Sequence, residues 1–269
     1  QNLGKSRAGV WKAVKALQAD GYTITAVTNR GYMFDANNDI LNENELKKYI
    51  DFDCNVAFYK SIDSTNNEAK RIITDGDTKP LLVVGEEQTA GRGRQGKSFY
   101  SPAKTGIYMS LVVHPMAKLQ NAVTATTAAS VAVCKAIEKL TDITPQIKWV
   151  NDVYVDGKKI CGILTEAVTN FETQTVESVV IGIGVNLKTH SFPSDVQNAA
   201  CLEAPVKRAE FIATVANELN GIVTGDYSTF IDYYRSHSMI VGTDINFIKN
   251  GFCFTCPFDI KKVPVSYFI

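Results

Sequence analysis

A chain of 269 residues with 45% apolar and 10% aromatic side chains can bury a sizeable core, which excludes general disorder and allows one large domain with one or two small ones. Its 28 basic and 28 acidic residues cancel, so no global field draws it to nucleic acid or an anionic membrane, and any such preference must be local. No apolar run approaches the roughly 20 residues of a bilayer span and no charged-then-apolar leader opens the chain, so the expectation is a soluble, cytoplasmic protein.

Residues 6–20 read as a helix: Ser6 caps it, Val10, Val14 and Leu17 form one apolar stripe, and Gly21 stops it. Residues 22–27 alternate polar and apolar, Thr28-Asn29-Arg30-Gly31 supplies a turn, and residues 32–34 return as a second strand. This helix and β-wing carry Lys5, Arg7, Lys12, Lys15 and Arg30 against Asp20 alone, a basic segment in a neutral chain. Residues 35–52, with Asn37-Asn38-Asp39 and a short helix from about 43 to 49, read as a linker that places a boundary near residue 50. The main domain then runs strand 56–59, helix 64–73, strands 81–86 and 107–114, and a long helix 122–140. β-rich segments follow at 146–150, 153–155, 159–167 and 176–185, with Asp156-Gly157 as a two-residue hairpin turn, and helices near 207–223 and 227–238 close the domain. The class is α+β with a mixed sheet.

The six cysteines are scattered, and Cys134 and Cys161 sit in apolar patterns, so reduced and mostly buried thiols are expected. Cys253 and Cys256 form a C-x-x-C, but zinc needs about four ligands and no second pair accompanies them, so no protein metal site is expected. His114, His190 and His237 stand far apart with no nucleophile pattern nearby and read as solvated or packed imidazoles.

Gly91-Arg92-Gly93-Arg94-Gln95-Gly96-Lys97-Ser98 fits the P-loop pattern and, in its first six residues, G-x-G-x-x-G. Either motif works only where the loop runs from a strand into a helix whose N-terminal amides hold phosphate. Here residues 86–90 separate strand and loop, and Phe99-Tyr100-Ser101-Pro102 follows, which excludes a helix. What remains is a glycine loop carrying Arg92, Arg94 and Lys97, able to reach phosphate oxygens or simply solvated.

Five strings stand in order around it: Asp63-Ser64-Thr65-Asn66-Asn67-Glu68-Ala69, Gln88-Thr89-Ala90, Lys148-Trp149-Val150-Asn151-Asp152, Gly157-Lys158-Lys159-Ile160-Cys161-Gly162-Ile163-Leu164, and Gly182-Ile183-Gly184-Val185-Asn186. Together with the loop they resemble the biotin protein ligases, and the basic helix and wing resemble the bifunctional members that also repress transcription. The resemblance runs from about Ser6 to Gly242. It implies a catalytic domain over residues 51–239 related to class II aminoacyl-tRNA synthetases. A partial winged-helix DNA-binding module and linker at 1–50 would precede it, and a short SH3-like β domain at 240–269 would follow.

The activity implied is ATP-dependent activation of biotin to biotinyl-5'-AMP and transfer to a lysine of the biotin carboxyl carrier domain of a carboxylase. Biotin is then substrate, ATP co-substrate, and Mg2+ its companion, held mainly by phosphates. Operator DNA is a further partner and, if the operator is palindromic, the protein would act as a homodimer. By similarity Ser64, Thr65, Asn66 and Gln88 would contact biotin, Gly91, Arg92, Gly93 and Arg94 would close over its carboxylate and the phosphate, and Lys159 would reach the reacting oxygens. By the same similarity Gly162 would line the biotin side, Arg94 and Asn186 would serve the nucleotide, and Asp152 would orient the incoming lysine or accept its proton.

Joining two anions requires cations where charge develops, which Arg92, Arg94 and Lys159 supply. Plainer readings exist: Ser64 or Thr65 with Glu68 is also a capping box, Asn151-Asp152 a turn pair, and Trp149 a core residue. Val150 stands where the family commonly has proline and Phe99 where tryptophan is frequent. Rival functions are a repressor that holds biotinyl-adenylate without ligating it, and a lipoate ligase.

Overall fold

The computed structural model describes residues 4, 6–28, 30–35, 38–73, 79–114, 122–169, 175–194, 196, 198–225, 227–239, 244–249 and 252–257, with side chains for all of these except 122, 123, 227–229 and 244 onward. Of the sequence-level expectations, Asn29, Asn37 and residues 258–269 lie outside this set, as do the side chains of Cys253 and Cys256.

Helix α1 (Arg7–Ala19) starts where Ser6 caps it, the hydroxyl accepting from Gly9 N at 3.1 Å. It ends in a Schellman motif: Gly21, at φ +98°, lets Tyr22 N reach Leu17 O at 3.0 Å and its own N–H reach Gln18 O at 3.1 Å. Strands β1 (Ile24–Val27) and β2 (Gly31–Phe34) pair antiparallel as the expected wing. The expected stripe is only partly covered, since Val14 is buried but Leu17 is 40% exposed. Residues 35–42 then lead into α2 (Glu43–Lys47), whose Leu46 is fully buried in the main core.

The main sheet has seven strands: β3 (Asn55–Tyr59), β4 (Leu81–Gly85), β5 (Gly106–Val113), β6 (Gln146–Lys148), β7 (Asp152–Val155), β8 (Lys158–Thr169) and β9 (Val176–Asn186). Their order is β3-β4-β5-β9-β8-β7-β6, parallel between β3 and β4 and antiparallel elsewhere, the mixed α+β sheet that the sequence predicts. The Asp156-Gly157 turn joins β7 to β8 with both residues at positive φ, 49° and 72°, as a type I′ hairpin requires.

Helices α4 (Ala122–Leu140) and α5 (Arg208–Thr224) pack together over one face of the sheet, and α6 (Tyr227–His237) packs against both. Helix α3 (Thr65–Ile72) lies against β4, β5 and β9 on the other face. The period-2 alternation of a strand divides the side chains accordingly. Met109, Leu111, Ile163, Ile181, Ile183 and Val185 enter the core under α4 and α5, while Ser110, Gly162, Glu166, Gly182 and Gly184 come up on the α3 face. The functional half of the sheet is thus the half that looks too polar or too bare for a core. Beyond α6, β10 (Asp244–Lys249) and β11 (Phe252–Pro257) form an antiparallel hairpin.

Candidate active site

A cavity of about 290 Å3 opens on the α3 face of the sheet. Ser64, Thr65, Asn66, Gln88, Arg92, Gly93, Arg94, Lys159, Asp152 and Gly162 all line it, so residues from five separate stretches of sequence converge. Four cationic side chains, Arg92, Arg94, Lys97 and Lys159, face one carboxylate, Asp152. Such an excess suits an anionic ligand.

At the α3 end the walls form a continuous polar network. Ser64 is the N-cap of α3 but makes no capping hydrogen bond with its side chain, and Glu68 is spent on Tyr59 and Arg71, so the capping-box reading of this string fails. Thr65 N donates to Gln88 Oε1 at 2.9 Å, and Gln88 Nε2 donates to Ser101 Oγ at 2.9 Å, which fixes the Gln88 amide in one orientation. Asn66 is more completely committed: Oδ1 accepts from Ser110 Oγ at 2.6 Å, while Nδ2 donates to Glu166 Oε2 at 2.9 Å and Leu164 O at 3.2 Å. Both of its N–H groups are spent on the protein. Burial acts to raise the pKa of Glu166, but the bonds from Asn66 and Lys70 and the charges of Lys70 and Arg92 outweigh it, holding the carboxyl below its usual range.

The floor is bare because three glycines make it so. A Cβ on Gly182 would sit 2.1 Å from Asn66 Oδ1, and one on Gly184 would sit 2.5 Å from the Phe99 ring. Gly162, paired with Gly184 across the ladder, passes under the same ring. Phe99 therefore keeps an aromatic lid over the Gly-x-Gly strand, braced edge-on by Tyr108 at 6.4 Å.

The glycine loop is a hairpin, with no helix after it, as its flanking residues predict. Gly93 N bonds Lys97 O at 2.7 Å, Phe99 N bonds Gly91 O at 2.8 Å, and residues 94–96 make one tight turn at the tip. Gly91 is outside the cavity lining, but a Cβ there would meet Phe99 O at 2.4 Å and Ser101 Oγ at 2.7 Å, so only glycine closes the hairpin base. Arg92 reaches Glu166 at 3.1 Å and Asn67 at 2.9 Å, and Arg94 reaches Asn151 at 2.8 Å on the opposite wall.

Lys159 enters the apolar β8 with its ammonium 2.7 Å from Asp152 Oδ1, the pairing that such a position demands. Asn151 donates to that same carboxylate at 2.9 Å and to Ile163 O at 3.3 Å, which makes it a site residue as well as a turn residue. Asn186 is buried at the end of β9, where its carbonyl accepts from Leu202 N, and it is not among the lining residues. Trp149 packs against the core and edge-on to Tyr234 at 6.2 Å, away from the lining.

The sequence reading missed Glu166, Ser110 and Ser101. Ser110 had a visible signal, a lone hydroxyl inside the apolar run of β5. His114 packs on Ser178 and Glu177, and His237 stacks on Tyr233 and meets Glu138, so neither reaches the cavity. Cys134 and Cys161 are buried as expected, and burial pushes both thiols far up. Among the described residues one group, His190, Cys201 and Glu203, brings three potential metal-ligand atoms within 4.8 Å of one another, and it lies outside the cavity lining. No described helix is long and apolar enough to cross a membrane.

Residues 58–186 match the biotin/lipoate A/B protein ligase family and residues 1–33 match an HTH domain. The chain is 36% identical over 203 residues to the bifunctional ligase/repressor BirA of Bacillus spizizenii, covering 74% of this chain and 62% of the relative. It is 29% identical over 201 residues to the protein of the same name from Escherichia coli, covering 74% and 60%. The chain therefore spans about three fifths of the length of these relatives. In structure it resembles the biotin protein ligase from Aquifex aeolicus in complex with biotin and ATP, at TM-score 0.60 and 24% identity over 75% of this chain and 85% of that one. The biotin protein ligase of Leishmania major in complex with biotinyl-5-AMP follows at TM-score 0.57 and 22% identity, over 68% and 81%. These two likenesses establish the fold.

Proposed function

Because residues 58–186 match the biotin/lipoate A/B protein ligase family, we propose that this chain activates biotin with ATP and transfers the acyl group to a lysine of a biotin carboxyl carrier domain. The observation that carries the reading is that Arg92 and Arg94, from the hairpin, and Lys159, from β8, line one cavity of about 290 Å3. That volume is near the lower end for small-ligand pockets, roughly 300–1,000 Å3.

In the first step a biotin carboxylate oxygen attacks the α-phosphorus of ATP, the bond to the β-phosphate oxygen breaks, and pyrophosphate leaves. Negative charge from both reactants accumulates at one point, where Lys159 and the two arginines offset it. Mg2+ arrives with the nucleotide. The one carboxylate in the cavity lining, Asp152, is already held by Lys159, so phosphate oxygens supply most of the ion's ligands. In the second step the neutral amine of an acceptor lysine attacks the acyl carbon and AMP leaves, with Asp152 orienting the amine or taking its proton.

Ser64, Thr65 and Gln88 form the end that receives the ring system, Gly162 its floor, and the hairpin from Gly91 through Gly93 to Arg94 covers the reacting carboxylate. Arg94 and Asn186 serve the nucleotide. Helix α1 presents Arg7, Lys12 and Lys15 to solvent, which supports operator DNA as partner of an N-terminal module at 1–50, apart from a catalytic domain at 51–239 and a C-terminal β segment at 240–269. The named function of the bifunctional relatives supports the same pairing of ligase and repressor.

The test is incubation with ATP, labelled biotin or lipoate, and an apo carrier domain. Biotinyl-adenylate together with a carrier amide supports the proposal, adenylate without amide turns it into a sensor, and lipoyl amide alone overturns the biotin assignment.

A further inference from the structure

The hairpin over the cavity is tied down at two points of different strength. On one side Arg92 makes a two-pronged, fully charged contact with Glu166, NH2 to Oε1 at 3.1 Å and NH1 to Oε2 at 3.3 Å, and NH1 also donates to Asn67 Oδ1 at 2.9 Å. On the other side Arg94 makes one bond, at 2.8 Å, to the neutral amide oxygen of Asn151. Glu166 is itself immobilised in the middle of β8, receiving Asn66 Nδ2 at 2.9 Å and Lys70 Nζ at 3.0 Å, and its side chain is only 20% exposed.

We propose that Glu166 is a positioning residue that tethers the hairpin through Arg92, so that the cavity opens by release of the Arg94 end while the Arg92 end stays docked. The chemistry of exchange favours this order. An incoming carboxylate or phosphate outcompetes a single neutral amide for Arg94, whereas Arg92 already holds the Glu166 carboxylate, so exchange there gains less. Arg94 and Lys97 form no ion pair among the described residues, so they are the cations free to move onto a ligand first, while Arg92 offsets charge from its docked position in the cavity wall. Tethering also limits the search of the open hairpin, because one end need not be found again at closure.

The catalytic consequence rests on the ligase reading, but the tether itself does not. Limited digestion of the ligand-free full chain with trypsin reads it directly, since cleavage after Arg94 and Lys97 requires the hairpin freed at its Arg92 end as well as at its Arg94 end. Glu166→Gln keeps an acceptor for Asn66 and removes the charge facing Arg92. It should speed cleavage at those two bonds about fivefold or more, and Asn151→Ala should change it by less than about twofold. In an Arg92→Ala background Glu166→Gln should add nothing. In the biotinylation assay Glu166→Gln should raise KM for biotin as the docked, binding-competent fraction falls, with kcat within about twofold.

Cleavage of Glu166→Gln within twofold of the parent, or an equal acceleration in the Arg92→Ala background, overturns the tether. Should Glu166→Gln melt below the assay temperature, Arg92→Lys, which keeps the charge and loses the fork, carries the same expectation and the same limit. If the parent makes no adenylate, the ligase reading fails and the proteolysis result still decides the tether.

Discussion

The ammonium of Lys159 lies 2.7 Å from Asp152 Oδ1, across the turn that joins β7 to β8, so the cavity's one carboxylate and its innermost cation hold each other in place. The pair predicts a split between half-reactions. On the proposed reaction, Lys159→Met removes a charge that would face the reacting oxygens and should slow adenylate formation by about 10²–10³-fold, the range for losing one preorganised donor. Asp152→Asn keeps the shape and should leave adenylate formation within a few-fold while slowing carrier acylation at least about tenfold, the lower reach of general-base loss. Pyrophosphate exchange and carrier labelling measure the two steps separately. An Asp152→Asn protein that acylates its carrier at the parent rate would sink the role given to Asp152.

Gly182 and Gly184 are bare for identifiable neighbours. Gly182→Ala would push a methyl group to 2.1 Å from Asn66 Oδ1, and Asn66 has nowhere to turn because its amide is held by Ser110, Glu166 and Leu164. Overpacking of this kind costs about 1–3 kcal/mol, and the polar end of the cavity moves with Asn66. The expectation is a lower melting temperature together with biotin affinity weakened by about tenfold or more, read by calorimetry. Unchanged biotin affinity in a folded Gly182→Ala protein would remove this strand from the binding site.

On the proposed reaction, the hairpin would also keep water and stray amines from the mixed anhydride. Arg94 spans the cavity to Asn151 at 2.8 Å, so Arg94→Gly removes the span while leaving the Arg92 side intact. Adenylate should still form but escape, and bystander lysines should acquire biotin. Mass spectrometry of a mixed-protein incubation checks this, and adenylate formation with no added bystander labelling counts against it.

How far the site was legible follows from the kind of signal each residue leaves. Arg92, Arg94, Lys159 and Gln88 stand out as polar residues in motif strings, and the fold brings all four to the lining of one cavity. Glu166 left no such mark, because its meaning lies in contacts with Asn66 and Arg92, 100 and 74 residues away. The stripe of α1 was over-read: periodicity assigns Leu17 to a covered face, but covering it needs a neighbour, and in this structure Val14 alone of the three is buried. Strand bounds were close where a turn residue or a proline fences the strand, as Pro80 fences β4, Pro145 fences β6 and Gly157 fences β8.

Acid should loosen the tether in a calculable direction. The folded-state pKa of Glu166 is lowered below 4.5, so its contribution to stability is fully present above that value and is lost as pH falls through the lowered pKa. The melting-temperature difference between parent and Glu166→Gln should therefore be constant from neutral pH to about 5 and shrink below it. A difference that grows on acidification contradicts the assigned direction.

Arg208, at the first turn of α5, carries a side chain only 4% exposed, and Asp39 in the segment after the wing is its chief counterion. Asp39 Oδ2 accepts from Nε at 3.1 Å, Asp39 O accepts from NH2 at 3.0 Å, and Asp39 Oδ1 accepts from the Arg208 backbone N at 2.8 Å. Glu86 adds a longer contact at 3.4 Å, and NH1 has no partner. The two halves of this pair are not equivalent. Asp39→Ala strands a buried guanidinium and should cost about 3–5 kcal/mol, whereas Arg208→Met removes the buried charge and the orphaned NH1 together, leaves Asp39 able to reach water, and should cost distinctly less. Urea unfolding of the two full-length variants measures the difference. Equal losses, or a larger loss for Arg208→Met, would mean that α5 depends on the packing of the Arg208 stem and that Asp39 does little to pin residues 38–42 to α5.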